Sequence, residues 1–212
     1  TSKQPSLTPD DPGNAIIAYE SIQAALACCN EYSIKRLVTA PISKAGLLAA
    51  NIPYTGHTTL LKDFFNSPNA SMAFYSDQLS VILATIHIPL MSVETALTSD
   101  TIKSTLANAK LFANQLGITN PKIGIAGLNP HASEHGQFGD FESRILIPAI
   151  KEAQCSETTI IGPISPDVIF RQAINNEFDI VIALYHDQGL IPLKLLAFDT
   201  AVNVTIGLPI CR

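Results

Sequence analysis

Two kinds of hydrophobic spacing alternate along the chain. Apolar residues three or four positions apart predict helices in "NAIIAYESIQAALACC", "TTLLKDFF", "FESRILIPAIKEA" and "DVIFRQAINN". Short continuous apolar runs predict strands in "IKRLVTAP", "LSVILATIH", "KIGIAG", "DIVIALY" and "VNVTIG", the last two closing the chain. Strands separated by helices imply βαβ crossovers. We therefore predict an α/β fold, with a largely parallel sheet covered by helices on both faces.

The segment after Asp100 has the most regular helical pattern. Its apolar residues fall on one helical face, at Ile102, Leu106, Ala109, Phe112, Ala113 and Leu116. Asp100 is predicted to be the N-cap, and Gly117 the residue just past the C-terminus. By the same rules Asp140 caps "FESRILIPAIKEA", and Ser165 with Pro166 begins "DVIFRQAINN".

Composition and charge exclude several classes of protein. The 212 residues are 47% hydrophobic and 15% charged, which allows a substantial core without disulfides or metals. With 13 basic against 18 acidic residues and no basic block, nucleic acid is not an expected partner. No apolar run approaches the roughly 18 residues of a membrane span, and the first residues do not resemble a signal peptide. We expect a cytoplasmic globular protein without membrane contact.

Four cysteines are candidates for structural, redox or metal-binding roles. They are Cys28, Cys29, Cys155 and Cys211. None belongs to a CxxC pair or has zinc-ribbon spacing. Small buried thiols in a reducing compartment explain them better than a disulfide or a metal site.

Three of the five histidines follow predicted strands. His87 follows "LSVILATI", His131 lies shortly after "KIGIAG", and His186 follows "DIVIALY". In an open parallel sheet the carboxyl ends of the strands line one crevice, where ligands bind. These histidines are therefore predicted to converge, although each taken singly is more simply a loop-side hydrogen bonder.

Taken together, the three imidazoles predict a divalent-metal site. Imidazole suits Zn²⁺, Co²⁺, Ni²⁺ or Fe²⁺, and three protein ligands leave positions open for a substrate. Asp187, next to His186, is then either a group that orients the imidazole or a proton acceptor. His135 is predicted to be a solvated loop residue.

Other polar residues are candidates for anion binding. His57 and Thr58 open a short helix whose free N–H groups favour an anion, although Thr58 could simply be the N-cap. Lys194, the one cation in "GLIPLKLLAF", is either an anion ligand or a surface lysine whose stem lies along apolar neighbours. Asn203 interrupts a strand that we expect to be buried, where an amide needs hydrogen-bond partners.

Two other classes of function stay open. The sequence has no GxGxxG, GxxxxGK[ST] or GxSxG motif, so a nucleotide would not bind through those loops. Three histidines at strand ends would also suit a metal-dependent hydrolase or aldolase, with Asp187 as base and no dinucleotide. A binding module with structural histidines is the non-enzymatic alternative, but it leaves the three equivalent positions unexplained.

Seven motifs in a fixed order resemble one known family. They are "VTAPISKAGL", "IPYTGHT", "LATIHIPL", "AGLNPHASEHGQFG", "GPISPD", "YHDQGLIPLK" and "VNVTIGLPICR". Together, from Ile34 to Arg212, they are similar to the 4-hydroxythreonine-4-phosphate dehydrogenase family of vitamin B6 biosynthesis. "GLNPHA" with "YHDQG" is the most specific pair.

The resemblance implies a homodimeric NAD(P)-dependent oxidoreductase with its active site between subunits. Its fold would be three-layer α/β/α, like that of isocitrate and isopropylmalate dehydrogenases. The implied reaction oxidises 4-phosphooxy-L-threonine to a β-keto acid that decarboxylates to 3-amino-2-oxopropyl phosphate. Relatives act instead on four-carbon sugar-acid phosphates such as erythronate or threonate 4-phosphate. The implied cofactors are NAD or NADP and a divalent ion, Zn, Mg or Co.

The resemblance also assigns roles to individual residues. By motif match these are His87, His131 and His186 for the metal, His57, Thr58, Lys194, Asn203 and Arg212 for the substrate, and Asp187 and Lys194 for catalysis. No residue is assigned to the nicotinamide cofactor. Family members carry a "GEPAGIGPE"-like stretch before, and a "TSxDHGTA"-like run after, the part matched here. Residues 1–212 are therefore expected to be a fragment truncated at both ends, with no internal domain boundary and an incomplete dinucleotide site.

Overall fold

The computed structural model describes Thr8 and residues 10–211, so Arg212 lies outside the described residues. The described residues form two compact units. One comprises those up to Ala70 together with those from Leu208 onward, and the other comprises Ser71–Gly207.

The first unit is helical. Its helices are α1 (Pro12–Glu31), α2 (Lys44–Ala49) and α3 (His57–Phe64). Two of them, α1 and α3, confirm the predicted helices. They share a small apolar core around Leu26 and Leu61, which are fully buried.

The predicted strand "IKRLVTAP" is wrong. Arg36 forms an isolated parallel bridge with Cys211. Two hydrogen bonds support it, from Leu37 N to Cys211 O at 2.9 Å and from Cys211 N to Lys35 O at 2.8 Å. Val38 is 96% exposed. The segment does not form a strand, since a single bridging pair is not extended into a ladder of hydrogen bonds.

The second unit is built on a six-stranded sheet. Its strands are β1 (Ser71–Tyr75), β2 (Val81–Leu83), β3 (Lys122–Ala126), β4 (Thr159–Ile164), β5 (Ile180–Ala183) and β6 (Val202–Ile206). The order is β4-β3-β5-β2-β1-β6. The first four strands in this order pair in parallel, whereas β1 is antiparallel to both β2 and β6. The prediction of a largely parallel sheet is confirmed.

Helices cover both faces of this sheet. They are α4 (Val93–Ala96), α5 (Ser99–Gln115), α6 (Ile147–Ala153), α7 (Pro166–Ile174) and α8 (His186–Ala197), with a 3-10 helix at Leu90–Ser92 and a π-helix at Glu142–Leu146. Ile180 and Ile182 of β5 pack in the core of α5 and α6, and Val181 and Ala183 in the core of α7 and α8. Successive strand residues point to opposite faces, so the three-layer arrangement is confirmed. None of the described helices is long and apolar enough to cross a membrane.

The predicted ends of α5 are half right. Gly117 has φ +77° and follows the C-cap, as predicted. The N-cap is Thr98 and not Asp100, which lies inside the first turn. Thr98 has extended backbone and its hydroxyl accepts a hydrogen bond from Thr101 N at 3.1 Å, so the helix is capped two residues earlier than expected.

The ends of the later helices show a similar split. Ser165 is the N-cap of α7 and Pro166 its first residue, as predicted. The Asp140 side chain does not cap the helix that follows. Its carbonyl accepts from Arg144 N at 2.9 Å, while its carboxylate lies 3.5 Å from Arg144 Nε. The carboxylate is therefore engaged by a cation and not by the helix N-terminus.

Helix α8 was missed because it contains two helix-breaking residues. Gly189 and Pro192 both lie within it, and each is unfavourable in a helix interior. Gly189 has a packing reason. A Cβ there would lie 2.8 Å from side-chain atoms of Val81 and Leu83 and 2.9 Å from Ala183 Cβ. The glycine thus lets the helix that begins at "YHDQG" pack closely on β2 and β5.

All four cysteines are free thiols. The expectation that they are buried holds for Cys29 but is wrong for Cys28 and Cys155, which are exposed. Cys155 lies in a turn after α6, where its backbone bridges Thr158. Cys155 lies among polar neighbours, Gln154, Ser156 and Glu157, which fits its exposure.

Candidate functional site

The carboxyl ends of three adjacent parallel strands carry the three predicted metal ligands. β3, β5 and β2 are neighbours in the sheet. Shortly after them come His131, His186 and His87 respectively. The sequence-based prediction that these histidines follow strands of one parallel sheet, at the same edge, is therefore confirmed.

His87 and His186 lie beside each other. Their ring centroids are 5.5 Å apart, with the ring planes at 45°. Both line a cleft of about 310 Å³, together with Tyr185 and Asp187. The proximity follows from the parallel pairing of β2 with β5, which brings the two strands to the same rim.

Asp187 contacts the imidazole of its sequence neighbour. His186 Nδ1 lies 2.6 Å from Asp187 Oδ1. A hydrogen bond at Nδ1 orients the ring and leaves Nε2 for another partner. The contact favours the orienting role of Asp187 over that of a proton acceptor. Because the Asp187 side chain is 70% exposed, solvent screens the charge of this pair.

His131 is not among the residues that line this cleft. It begins a run of five residues, His131–His135, whose φ values lie between 43° and 70°. Its ring centroid is 6.3 Å from that of Phe138. Within the described part of the chain, no three His, Cys, Asp or Glu side chains are arranged to hold a metal ion. One copy of the chain thus brings together two of the three predicted imidazoles.

A buried carboxylate that the sequence analysis missed anchors the turn bearing His131. Glu142 is 2% exposed. Its Oε1 accepts from the N–H groups of Leu128 and Asn129, each at 2.8 Å. Its Oε2 accepts from Asn129 Nδ2 at 3.1 Å and from the Ser133 hydroxyl. Left-handed backbone costs roughly 1–2 kcal/mol per residue, which these bonds help to offset.

The pKa of Glu142 reflects this setting. Burial raises the pKa, but hydrogen bonds from the Asn129 backbone, the Ser133 hydroxyl and the Asn129 side chain outweigh burial. The pKa therefore lies below the ordinary carboxyl value, and the group is ionised at neutral pH. The sequence held a signal for it, since Glu142 shares a helical face with Leu146 and Ala149, both buried.

Gly127 lets the same turn fold back on the end of β3. A Cβ at this position would lie 2.8 Å from Ala132 Cα and 3.3 Å from Glu142 Oε1. Any larger residue would push the turn away from the strand and from its anchor. The glycine of "AGLNPHA" is thus needed for the close approach of the turn at Ala132 to the end of β3.

Lys194 lies on the same surface as the histidine pair. It is two turns along α8 from His186 and Asp187, and all three line a shallow cleft of about 390 Å³. Leu190 and Phe198 supply apolar walls. Lys194 is exposed, so its ammonium group is available to an anion while its stem lies along apolar side chains.

Asn203 is not in a buried strand, contrary to expectation. It lies opposite Phe74 in β6, which pairs with β1 and forms one edge of the sheet. Its side chain is exposed. The apolar pattern of "VNVTIG" misled here because an edge strand is covered only toward its C-terminal half, at Thr205 and Ile206.

His57 and Thr58 belong to the first unit, as the first two residues of α3. The reading of Thr58 as an N-cap is wrong, because the N-cap is Gly56, with φ +155° and no side-chain cap. The hydroxyl in the turn is that of Thr59, which donates to Gly56 O at 3.0 Å. The helix starts two residues earlier than a Thr58 cap would require. Arg212 is outside the described residues.

Comparison with known proteins gives consistent matches. The family model for the pyridoxal phosphate biosynthetic protein PdxA matches residues 6–212. D-threonate 4-phosphate dehydrogenase from Pectobacterium atrosepticum is 40% identical over 196 residues, 92% of this chain and 60% of that protein. 4-hydroxythreonine-4-phosphate dehydrogenase from Sulfurihydrogenibium sp. is 41% identical over 204 residues, 95% of this chain and 62% of that protein. The chain therefore spans about 60% of the length of these relatives.

Solved structures show the same likeness. A crystal structure of 4-hydroxythreonine-4-phosphate dehydrogenase from Klebsiella pneumoniae has a TM-score of 0.88 and 38% identity, covering 98% of this chain and 64% of that one. A terephthalate 1,2-cis-dihydrodiol dehydrogenase from Burkholderia xenovorans has a TM-score of 0.78 at 24% identity, covering 95% of this chain and 64% of that one. The second likeness concerns the fold alone.

Proposed function

Because this chain belongs to the family of the pyridoxal phosphate biosynthetic protein PdxA, we propose that it acts as a metal-dependent, NAD(P)-linked dehydrogenase of a four-carbon acid 4-phosphate. The substrate is 4-phosphooxy-L-threonine. The product is a β-keto acid, which loses CO₂ because its ketone accepts the electrons left behind, and 3-amino-2-oxopropyl phosphate results. The adjacent imidazoles of His87 and His186 at the carboxyl edge of the sheet are the observation that carries the proposal.

The donor set fits a divalent cation. Two imidazoles stand side by side at one rim, and Asp187 orients one of them. Imidazole donors favour Zn²⁺ or Co²⁺ over Mg²⁺. We assign His87 and His186 as ligands, with His131 supplied by a second copy of the chain in a homodimer whose active site lies at the interface. When bound, the cation supplies a Lewis acid at the substrate's secondary hydroxyl.

The remaining residues bind and orient the substrate. The Lys194 ammonium donates hydrogen bonds to the phosphate or the carboxylate of the substrate, from the same surface as the imidazoles. By motif match we assign four further substrate contacts, to His57, Thr58, Asn203 and Arg212. NAD or NADP supplies the hydride acceptor when bound, and its contacts are assigned to no residue of this chain. The reaction would take place in the cytoplasm.

A second substrate is favoured by the names of several relatives. Proteins 40% identical to this chain are called D-threonate 4-phosphate dehydrogenase. The two substrates differ at carbon 2, which bears an amino group in one and a hydroxyl in the other. A panel of 4-phosphooxy-L-threonine, threonate 4-phosphate and erythronate 4-phosphate, followed by NADH absorbance, decides between them. The substrate with the higher kcat/KM identifies the enzyme.

Removal of one imidazole tests the metal site. In the full-length protein, His186→Ala is expected to abolish both metal content and NADH formation, because two donors cannot hold the cation alone. His135→Ala is the matched control, since His135 is an exposed histidine of the same unit with no assigned role. If His186→Ala kept the metal and the activity of the wild type, the proposed site would be wrong.

Removal of the cation on α8 tests the phosphate contact. Lys194→Ala is expected to lower kcat/KM more for the phosphorylated substrate than for its dephosphorylated analogue, because only the former presents the dianion. Lys151→Ala, an exposed lysine on α6, serves as the control. An equal loss for both substrates would argue against contact between Lys194 and the phosphate.

A further inference from the structure

Three buried polar side chains connect the strand ends that carry the histidines. Thr85, Gln188 and Glu142, here called the strand-end brace, are 7%, 7% and 2% exposed. Polar groups are costly to bury unless each finds a partner. All three find theirs just past the carboxyl ends of β5 and β3, at the edge of the sheet that carries the candidate site.

Gln188 links β5 to β3. Its Oε1 accepts from Leu184 N at 2.6 Å, just past the end of β5. Its Nε2 donates to Gly127 O at 2.7 Å, just past the end of β3. The backbone ladder between these strands ends at Ile125 and Ile182. The amide therefore continues the connection beyond the point where the sheet itself stops.

Thr85 links β2 to the same peptide. Its hydroxyl donates to Leu184 O at 2.8 Å, and its own N–H donates to that oxygen at 3.1 Å. Leu184 is thus held at both its N–H and its carbonyl. Two residues later the chain reaches His186, and two residues after Thr85 it reaches His87. Both imidazoles leave the sheet from points fixed by hydrogen bonds.

Glu142 completes the brace on the side of β3. Gly127, held by Gln188, is followed by Leu128 and Asn129, whose N–H groups both donate to Glu142. A continuous set of hydrogen bonds therefore runs from the start of α8 to the turn that bears His131. Gln188 is the member that joins the two sides.

We propose that Gln188 is a positioning residue of the metal site. In the proposed homodimer it holds the rim that presents His87 and His186 to one metal site and the turn that presents His131 to the other. It acts through Leu184 and Gly127 and touches neither substrate nor metal. The inference rests on the proposed function, since positioning has a consequence for catalysis only if these imidazoles bind a cation. Outer partners of this kind change metal affinity by about 10- to 100-fold.

The test uses two variants of the full-length protein. Gln188→Met keeps the length and volume of the side chain and removes both hydrogen bonds. Gln188→Glu keeps the acceptor for Leu184 N but loses the donor to Gly127 O. Ser76→Ala is the control, because Ser76 is a 5% exposed hydroxyl bonded to the Leu79 backbone, in the turn before β2 at the opposite edge of the sheet.

Two measurements are made on each variant, namely Co²⁺ affinity by spectroscopic titration and amide hydrogen exchange of the segment 128–136. Gln188→Met is expected to weaken Co²⁺ binding by about 10- to 100-fold and to raise exchange in that segment. Gln188→Glu is expected to raise exchange there while Leu184 stays protected. Ser76→Ala is expected to change neither quantity, even if it lowers the melting temperature.

The outcomes separate this inference from the proposed function. Co²⁺ affinity of Gln188→Met within about twofold of the wild type would overturn the positioning role, since outer partners change affinity by tenfold or more. Wild-type protein that binds no Co²⁺ would instead overturn the proposed metal site. In that case hydrogen exchange still tests whether Gln188 holds the turn. Unchanged exchange at 128–136 in Gln188→Met would show that it does not.

Discussion

The ionised carboxylate of Glu142 offers the sharpest test of how the His131 turn is held. Glu142→Gln removes the charge and keeps the size of the side chain. The amide oxygen can still accept from the N–H groups of Leu128 and Asn129. The new NH₂ group replaces the oxygen that accepts from Asn129 Nδ2 and the Ser133 hydroxyl. The hydroxyl can turn to accept, but the Asn129 amide then faces another donor.

The size of the effect follows from these four bonds. Hydrogen bonds to a charged group contribute about 1.5–3 kcal/mol and neutral ones about 0.5–1.5 kcal/mol, so the two retained bonds lose roughly 2 kcal/mol together. The mismatched pair of donors adds about 1 kcal/mol. Since Glu142 is 2% exposed, solvent screening is small. We expect the free energy of unfolding to fall by about 3 kcal/mol at pH 7.

The pH dependence has a definite sign. The pKa of Glu142 is lower in the folded than in the unfolded chain. The stability that the ionised carboxylate contributes is therefore fully present above the unfolded-state pKa of about 4.3. It is lost as the pH falls through the folded pKa. The difference in unfolding free energy between wild type and Glu142→Gln should therefore be constant near neutral pH and shrink in acid.

Urea unfolding followed by far-ultraviolet circular dichroism measures this difference, since the chain has no Trp for fluorescence. Glu134→Gln is the control, with the same chemical change at an exposed position of the same turn. It should alter the free energy by no more than about 0.5 kcal/mol. A Glu142→Gln variant as stable as this control at pH 7, or a difference that grows in acid, would refute the reasoning.

Two further predictions concern other parts of the second unit. Gly189→Ala should destabilise the protein by about 1–3 kcal/mol, seen as a lower melting temperature, because the new methyl group meets the side chains of β2; an unchanged melting temperature would show that α8 can shift. The pKa of the Cys155 thiol is lowered by the backbone N–H of Glu157 first and, further down, by Lys110. Iodoacetamide at neutral pH should therefore label Cys155 faster than the exposed Cys28, as read by mass spectrometry, and Lys110→Met should slow that labelling; equal rates at both thiols would contradict the prediction.

The alternation of helical and continuous apolar segments was enough to predict the α/β class. The strands β3 and β5 were predicted correctly because both are buried on both faces of the sheet, and a continuous apolar run is typical of such a strand. β4 was missed, since Gly162 and Pro163 interrupt it. The same local reasoning failed at "IKRLVTAP", whose apolar residues lie in a segment with a single bridging pair.

The candidate site divides in the same way. The positions of His87, His131 and His186 after strands could be read from the sequence, because each strand pattern ends a few residues earlier. The strand order, in which β5 lies between β3 and β2, makes His186 a neighbour of both other histidines. The left-handed turn at His131–His135 then leaves His131 outside the cleft that His87 and His186 line. No local pattern encodes that order.

The sequence alone thus determined the class of fold, the edge of the sheet that carries the histidines, and the family. Only the tertiary structure decided that "YHDQG" opens a helix, and that Gln188 and Glu142 hold the strand ends. The physical reason is the separation of the interacting residues along the sequence. Hydrophobic periodicity is set by neighbours along the chain, whereas Gln188 bonds a carbonyl 61 residues away and Thr85 one 99 residues away. Such partners exist only once the strands have taken their places in the sheet.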